Sequence, residues 1–167
     1  MRVLGVDPGL TRTGYGVVEE EGSRYRAVAY GVVAPPRDGP LAERLGTIYR
    51  GIEAIIATTR PDEFAVEALF FARNPMSAFR LGQARGAALM AAINAGLSFA
   101  EYPPATVKVA VVGRGGARKE QVAHMVRMLL GLPADQLSHA DVSDALAIAI
   151  CHLHHAGARL LTRGAVP

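Results

Sequence analysis

The sequence predicts an α/β domain with a mixed β-sheet, in which an antiparallel meander is joined to parallel strands and helices cover both faces. Two observations carry this prediction. Three apolar runs rich in Val and Tyr open the chain, and turn residues separate them. Short strand-like runs then alternate with longer segments of helical spacing. No linker or repeat divides the 167 residues, so we expect a single domain over residues 1–167.

The meander is predicted over residues 2–7, 13–20 and 25–33, because turn residues follow the first run and lie near residues 22–23. Apolar residues then recur every three or four positions from Leu41 to Ile56, which predicts an amphipathic helix that Pro61 ends. By the same reasoning we expect strands over 64–69 and 97–102, and helices over 75–95, 103–112, 118–130 and 138–155. The tail after about residue 156 shows no such pattern, and we expect it to be disordered.

Composition limits the class of protein. Half of the residues are hydrophobic and a fifth are charged, which is typical of a soluble globular chain. Cys151 is the only cysteine, which excludes an intramolecular disulfide and fits a reducing compartment. The first apolar run is too short for a signal peptide, and no apolar stretch is long enough to span a bilayer. We therefore expect a cytoplasmic protein with no membrane partner.

Charge is unevenly distributed along the chain. The net charge is only +3, but the segment from Arg73 to Arg127 contains eight basic residues and only two acidic ones. A basic middle region combined with acidic residues elsewhere suggests a polyanionic partner, such as a nucleic acid, held around a metal site.

Four acidic residues stand where a negative charge is costly. Asp7 ends an apolar strand, and Glu67 lies within another. Asp141 and Asp144 are three residues apart on a predicted helix, so their side chains leave the same face and repel each other unless a cation lies between them. We interpret the four as one cluster that binds divalent metal.

Simpler explanations exist for single members of this cluster. Asp7 precedes Pro-Gly and would suit a turn, while Ser138 and Asp141 match a capping box. Asp144 lies one turn further into the helix, where capping does not explain it. Oxygen-only ligands suit Mg²⁺ or Mn²⁺, and two such ions can activate water and stabilise the leaving oxygen of a phosphodiester.

Aromatic and basic residues near these acids are candidates for DNA contact. Phe70 and Phe71 follow the Glu67 strand, and we expect one of them to be core and the other to stack on an unpaired base. Basic residues flank the glycine-rich loop 113–116, where a solvated face is the alternative to phosphate contact. The candidate DNA-binding residues are Phe70, Phe71, Arg73, Lys108, Arg114, Arg118 and Lys119.

Three histidines and the cysteine have structural explanations. We expect His152, His154 and His155 to lie at the end of the last helix, where the helix C-terminus favours positive charge, and we give them no metal role. Cys151 is expected to be a buried thiol. Gly14 and Gly16 lack the third glycine of a dinucleotide-binding motif.

With these residues in place, the chain resembles the RuvC family of Holliday junction resolvases, within the ribonuclease H-like superfamily, from about residue 2 to 155. The motifs that carry the resemblance are Gly5-Val-Asp7-Pro-Gly9 with Thr13-Gly-Tyr-Gly16, Ala65-Val-Glu67 followed by Phe70, Leu81-Gly-Gln-Ala-Arg-Gly86, Val107-Lys108 with Val111-Val-Gly113, Gln121-Val-Ala-His-Met-Val-Arg127, and Asp141-Val-Ser-Asp144-Ala-Leu-Ala-Ile-Ala149.

The resemblance implies a homodimeric, Mg²⁺-dependent crossover junction endodeoxyribonuclease of DNA recombination and repair, with two ions in each active site. Its substrate would be a four-way DNA junction, and its further partner the RuvA–RuvB branch-migration complex. Asp7, Glu67, Asp141 and Asp144 would be the catalytic metal ligands. Phe70 would contact a base, and Lys108 and Lys119 would contact DNA.

Three alternatives remain at this stage. An ATP-binding phosphotransferase of the actin and sugar-kinase type would share the Asp7-x-Gly9-x-Thr11 pattern, but it needs a second related domain, and the chain has neither the length nor the repeat. A nuclease of the same superfamily could act on an RNA–DNA hybrid instead. A non-catalytic junction-binding module is disfavoured because all four acids are present.

Overall fold

The chain folds around one mixed five-stranded sheet. The structure is a computed structural model, and it describes residues 1–68, 75–133 and 139–163, with side chains described as far as residue 157. The strands are β1 (Arg2–Asp7), β2 (Thr13–Glu21), β3 (Arg24–Val33), β4 (Glu63–Glu67) and β5 (Ser98–Tyr102). Their order is β3-β2-β1-β4-β5, with antiparallel pairing from β3 to β1 and parallel pairing from β1 to β5. The predicted meander joined to parallel strands is therefore confirmed.

Helices cover both faces of the sheet, as predicted. They are α1 (Leu41–Thr59), α2 (Pro75–Asn94), α3 (Pro104–Val112), α4 (Lys119–Leu130) and α5 (Ala140–Arg163). Leu4, Val6 and Phe64 share a core with α1 and α2 on one face. Val3 and Ala65 share the core of the other face with α3, α4 and α5. Because side chains alternate along a strand, neighbouring residues of β1 enter different cores.

The last helix differs from its prediction. It continues past His155 to Arg163, so the expectation that the three histidines lie at a helix C-terminus is wrong. His152 is fully buried: its Nε2 lies 2.6 Å from Glu63 Oε2, and its Nδ1 lies 2.9 Å from the Tyr102 hydroxyl. This side chain is held by the sheet rather than by a helix end. Ser138, which the capping-box interpretation requires, lies outside the described residues.

Glycines allow α5 to lie directly on β1 and β2. A Cβ atom at Gly5 would come 2.2 Å from the Ala145 carbonyl oxygen, and one at Gly14 would come 2.1 Å from that of Asp141. Backbone atoms cannot yield as a flexible side chain can, so a larger residue would push the helix outward. The absence of side chains at these positions fixes how closely α5 approaches Asp7, which lies beside Gly14 in the strand register.

Two smaller expectations concern burial and membranes. Cys151 is fully buried, as predicted, and burial raises the pKa of its thiol to about 12, which leaves it protonated and unreactive. Among the described residues, no helix combines the length and apolar character needed to cross a membrane.

Candidate active site

Parallel pairing of β1 with β4 places two of the four acids side by side. Asp7 is the last residue of β1 and Glu67 the last of β4, and the register pairs Val6 with Val66 just before them. Both acids follow by two residues a position that faces α5, Gly5 in β1 and Ala65 in β4, so both point toward that helix. The sequence predicts a strand that ends at Asp7 and a strand over 64–69 that contains Glu67. The structure ends β4 at Glu67 instead, and the sheet brings the two acids together.

Helix α5 brings Asp144 to the same place. Asp7, Glu67 and Asp144 line one pocket of about 310 Å³, whose walls also include Lys108 and Lys119. Asp141 lies in the first turn of α5 and does not line this pocket, but its charge acts on Asp7. The structure therefore gathers three of the predicted ligands in one cavity and holds the fourth at its border.

Burial and mutual repulsion make negative charge costly in this pocket. The pKa of Asp7 rises from 3.8 to about 7, first because the carboxyl is buried and then because of the charges of Asp144, Glu67 and Asp141. The pKa of Glu67 is also raised, mainly by burial and next by the charge of Asp144. Such a pocket binds a proton or another cation more readily than separate exposed acids would.

An ammonium group already lies against these carboxylates. Lys119 Nζ donates a hydrogen bond of 3.0 Å to Asp144 Oδ2. Its charge also lowers the pKa of both Asp7 and Glu67, and the acids in turn raise the pKa of Lys119, with the Asp144 hydrogen bond as the largest cause. The pocket therefore contains three acids with one lysine in direct contact with one of them.

The chemistry of this pocket fits a hard divalent cation. Its ligand atoms are carboxylate oxygens, which Mg²⁺ and Mn²⁺ prefer, and the acids outnumber the contacting cation. Their present spacing is open: within residues 1–68, 75–133 and 139–163, no group of three His, Cys, Asp or Glu side chains is gathered closely enough to hold a metal ion. The carboxylates must therefore come closer together if one ion is to contact all of them.

Comparison with known proteins decides the family. The sequence model for "Crossover junction endodeoxyribonuclease RuvC" matches residues 3–152. The chain belongs to the RuvC family. A relative of that name from Alkalilimnicola ehrlichii is 53% identical over 166 residues, with 98% of this chain and 99% of the relative covered.

Solved RuvC structures share the fold. The chain matches Thermus thermophilus RuvC with a TM-score of 0.86 and 40% identity, covering 95% of this chain and 97% of that one. A structure of T. thermophilus RuvC in complex with a Holliday junction substrate matches with a TM-score of 0.86 and 38% identity, covering 95% and 96%. The expected ribonuclease H-like fold is confirmed.

The predicted DNA contacts divide into three groups. Lys108 and Lys119 line the acidic pocket. Arg114 and Arg118 lie at the start of α4, where the Arg114 guanidinium and the Arg118 backbone N–H both donate to Gln121 Oε1, at 3.1 and 3.0 Å. The remaining candidates, Phe70, Phe71 and Arg73, lie outside the described residues.

Sequence reasoning missed the residues that position the acids. Gly14 and Gly16 alternate along β2, and the sequence offered them only as part of a family motif and as an incomplete nucleotide motif. In the structure they let α5 approach the sheet. Two glycines separated by one residue in a strand lie on the same face of the sheet. This spacing indicates that another backbone approaches that face closely. Gly5 pairs with Gly16 across β1 and β2, which completes that smooth surface.

Proposed function

We propose that this chain is a structure-selective endonuclease that resolves four-way DNA junctions by metal-dependent phosphodiester hydrolysis, in homologous recombination and DNA repair. The observation that carries the proposal is the pocket at the ends of β1 and β4, where Asp7, Glu67 and Asp144 meet on a RuvC fold. The T. thermophilus protein of the same fold has been solved with a Holliday junction substrate, which supports the choice of DNA structure.

Asp7, Glu67, Asp141 and Asp144 would hold two Mg²⁺ ions, or Mn²⁺ in their place. When bound, the metal would supply an activated water and stabilise negative charge on the leaving oxygen. The protein would position the ligands. Strands β1 and β4 hold Asp7 and Glu67 at their C-terminal ends, and α5, which packs on the sheet, carries Asp141 and Asp144. Because burial raises the pKa of Asp7 to about 7, metal binding at this carboxyl would compete with a proton.

Basic residues beside the pocket would hold the DNA backbone. Lys108 and Lys119 lie on the pocket wall, and Arg114 and Arg118 precede Lys119 by five residues and by one residue along the chain. Contacts of this kind position a strand without reading its sequence. We propose the same backbone role for Arg73, and base stacking for Phe70 or Phe71.

A homodimer would supply two such sites to opposing strands, since a four-way junction has approximate two-fold symmetry. Support comes from α2, which exposes four large apolar side chains in two pairs three residues apart: Met76 and Phe79 are 56% and 63% exposed, and Met90 and Ile93 are each 48% exposed. Gly86 lies on the same stripe with open space before it, which permits a close helix contact. A contact with the RuvA–RuvB complex and a cytoplasmic location are further parts of the proposal.

A cleavage assay on matched substrates tests the function. Four-way, Y-shaped, linear duplex and RNA–DNA hybrid substrates of related sequence are incubated with the purified protein and Mg²⁺. We expect paired nicks at symmetric positions in the four-way junction alone, and none in EDTA. Equal cutting of linear duplex would contradict the choice of substrate, and preference for the hybrid would favour the other nuclease interpretation.

A further inference from the structure

Lys119 stands in an unusual electrostatic position. It is the first residue of α4, where the helix dipole disfavours positive charge. The start of α4 is nonetheless well anchored: Gln121 caps it through the Arg118 backbone N–H, and Val122 is buried in the core shared with α5. The backbone of Lys119 is thus held in place, although its side chain is 73% exposed.

The acidic pocket compensates for this unfavourable position. The Lys119 ammonium lies 3.0 Å from Asp144 Oδ2 and also interacts with the charges of Asp7 and Glu67. Lys108 lines the same pocket, and its charge lowers the pKa of Glu67. Two lysines therefore share one pocket, and one of them contacts a proposed metal ligand directly.

We propose that Lys119 is a built-in counter-ion that takes the place of a cation between the carboxylates until a divalent ion enters. The inference rests on the proposed metal-dependent function and deepens it. A divalent ion carries twice the charge of an ammonium and binds the same oxygens, so its entry displaces Lys119 from Asp144. The displaced ammonium is then repelled by the ion and becomes available to a DNA phosphate at the mouth of the pocket.

This exchange links metal loading to DNA contact. In the metal-free protein, Lys119 reduces repulsion among the acids, and its hydrogen bond to Asp144 withholds it from DNA. In the loaded protein, the ion takes over that electrostatic role. Lys119 thus acts as a positioning residue for the acids before loading and as a phosphate contact afterwards, whereas Lys108 is expected to contact DNA in both states.

Calorimetric titration of Mg²⁺ into the DNA-free protein tests the first half. The comparison uses wild type, Lys119→Met and the matched control Lys108→Met, at about pH 8.5, where metal no longer competes with protons at the acids. We expect Lys119→Met to bind Mg²⁺ roughly two- to tenfold more tightly than wild type, because no ammonium must be displaced. Lys108→Met should change the affinity less, and Lys119→Arg should restore values near wild type.

The outcomes separate this inference from the proposed function. If wild type takes up no Mg²⁺ through its carboxylates, the metal-dependent function itself is contradicted. If wild type binds Mg²⁺ but Lys119→Met binds no more tightly than Lys108→Met, the counter-ion role alone is wrong. A single cooperative melting transition of Lys119→Met in EDTA confirms that the variant is folded.

Binding of a four-way junction tests the second half. In EDTA, Lys119→Met should bind the junction nearly as well as wild type, while Lys108→Met should bind more weakly. In Ca²⁺, another hard divalent cation with oxygen ligands, both variants should lose affinity. Equal losses for Lys119→Met in EDTA and in Ca²⁺ would show that its ammonium contacts DNA without being released by metal.

Discussion

Two polar clusters lie on the same face of the sheet and differ in how their charges are balanced. The first is the carboxylate pocket of Asp7, Glu67 and Asp144. The second, the histidine cluster, consists of Glu63, His152 and Tyr102. Strand β4 contributes Glu67 to one and Glu63 to the other, and α5 contributes Asp144 and His152. The same two elements therefore build both clusters, at opposite ends of β4.

The histidine cluster is satisfied within the protein. Both ring nitrogens of His152 have a hydrogen-bond partner within 3 Å. The Glu63 carboxylate can only accept a hydrogen bond, so the ring nitrogen that faces it is the donor. In the carboxylate pocket, three acids crowd together, and burial followed by repulsion raises the pKa of Asp7 and Glu67. A satisfied polar cluster stabilises the fold, whereas a cluster with excess charge is suited to binding a ligand of opposite charge.

The largest expected effect follows from breaking the pocket at Asp144. We expect Asp144→Asn to lower junction cleavage by roughly 10³-fold, because a lost ligand removes several kcal/mol of charge stabilisation. Folding and junction binding should remain close to wild type, and Asp38→Asn, a change at an exposed loop acid, should leave cleavage unchanged. Loss of binding in proportion to cleavage would assign Asp144 to structure instead.

Breaking the histidine cluster should act on stability rather than on chemistry. His152→Ala leaves a cavity and removes a hydrogen-bond partner of the buried Tyr102 hydroxyl, so we expect urea unfolding to show a loss of about 2–4 kcal/mol. Cleavage per folded molecule should stay near wild type. His154→Ala, at an exposed position of the same helix, should cost about 0.5 kcal/mol. If His152→Ala impaired cleavage without lowering stability, the histidine cluster would take part in the reaction, and the assignment of separate roles to the two clusters would be wrong.

Asp7 sharpens the comparison through its pH dependence. Its pKa rises from 3.8 in the unfolded chain to about 7 in the fold, so the folded state retains a proton that the unfolded state has lost. Stability from this proton is present in full below about pH 4 and is lost as the pH rises through 7. In EDTA, Asp7→Asn should therefore be more stable than wild type by roughly 1–3 kcal/mol at pH 8.

The measurement is urea unfolding of both proteins at a series of pH values. The difference should grow between about pH 4 and 7 and level off above 7. Glu21→Asn, at an exposed acid of β2, is the control and should show no such growth. If the difference in unfolding free energy between wild type and Asp7→Asn stays constant across the series, the Asp7 charge does not destabilise the metal-free fold.

The order of elements was predictable because each depends on local pattern. The run that ends at Asp7 before Pro-Gly gave the end of β1, and the spacing from Leu41 gave α1. The role of His152 was not predicted, although Ala145, Ala149 and Ala156 are buried on the same side of α5 at helical spacing. Its partner Glu63 is 89 residues away, and such a pair forms only once the sheet has set its register.

The candidate site was predictable in part for the same reason. An acid at the end of one apolar strand and an acid within another are unusual enough to be noticed singly, so Asp7 and Glu67 could be chosen from the sequence. The contact of Lys119 with Asp144 joins two helices and could not. The approach of α5 to Gly5 and Gly14 depends on tertiary packing, which no local pattern of β1 or β2 specifies.

The central claim is that Asp7, Glu67 and Asp144 form one cation site. Anomalous X-ray scattering from crystals of the protein soaked in Mn²⁺ tests it most directly, because it locates the metal independently of activity. The account predicts Mn²⁺ bound by oxygens of these three carboxylates, with Lys119 turned away from Asp144. Mn²⁺ bound elsewhere, or an empty pocket in crystals saturated with Mn²⁺, would contradict it.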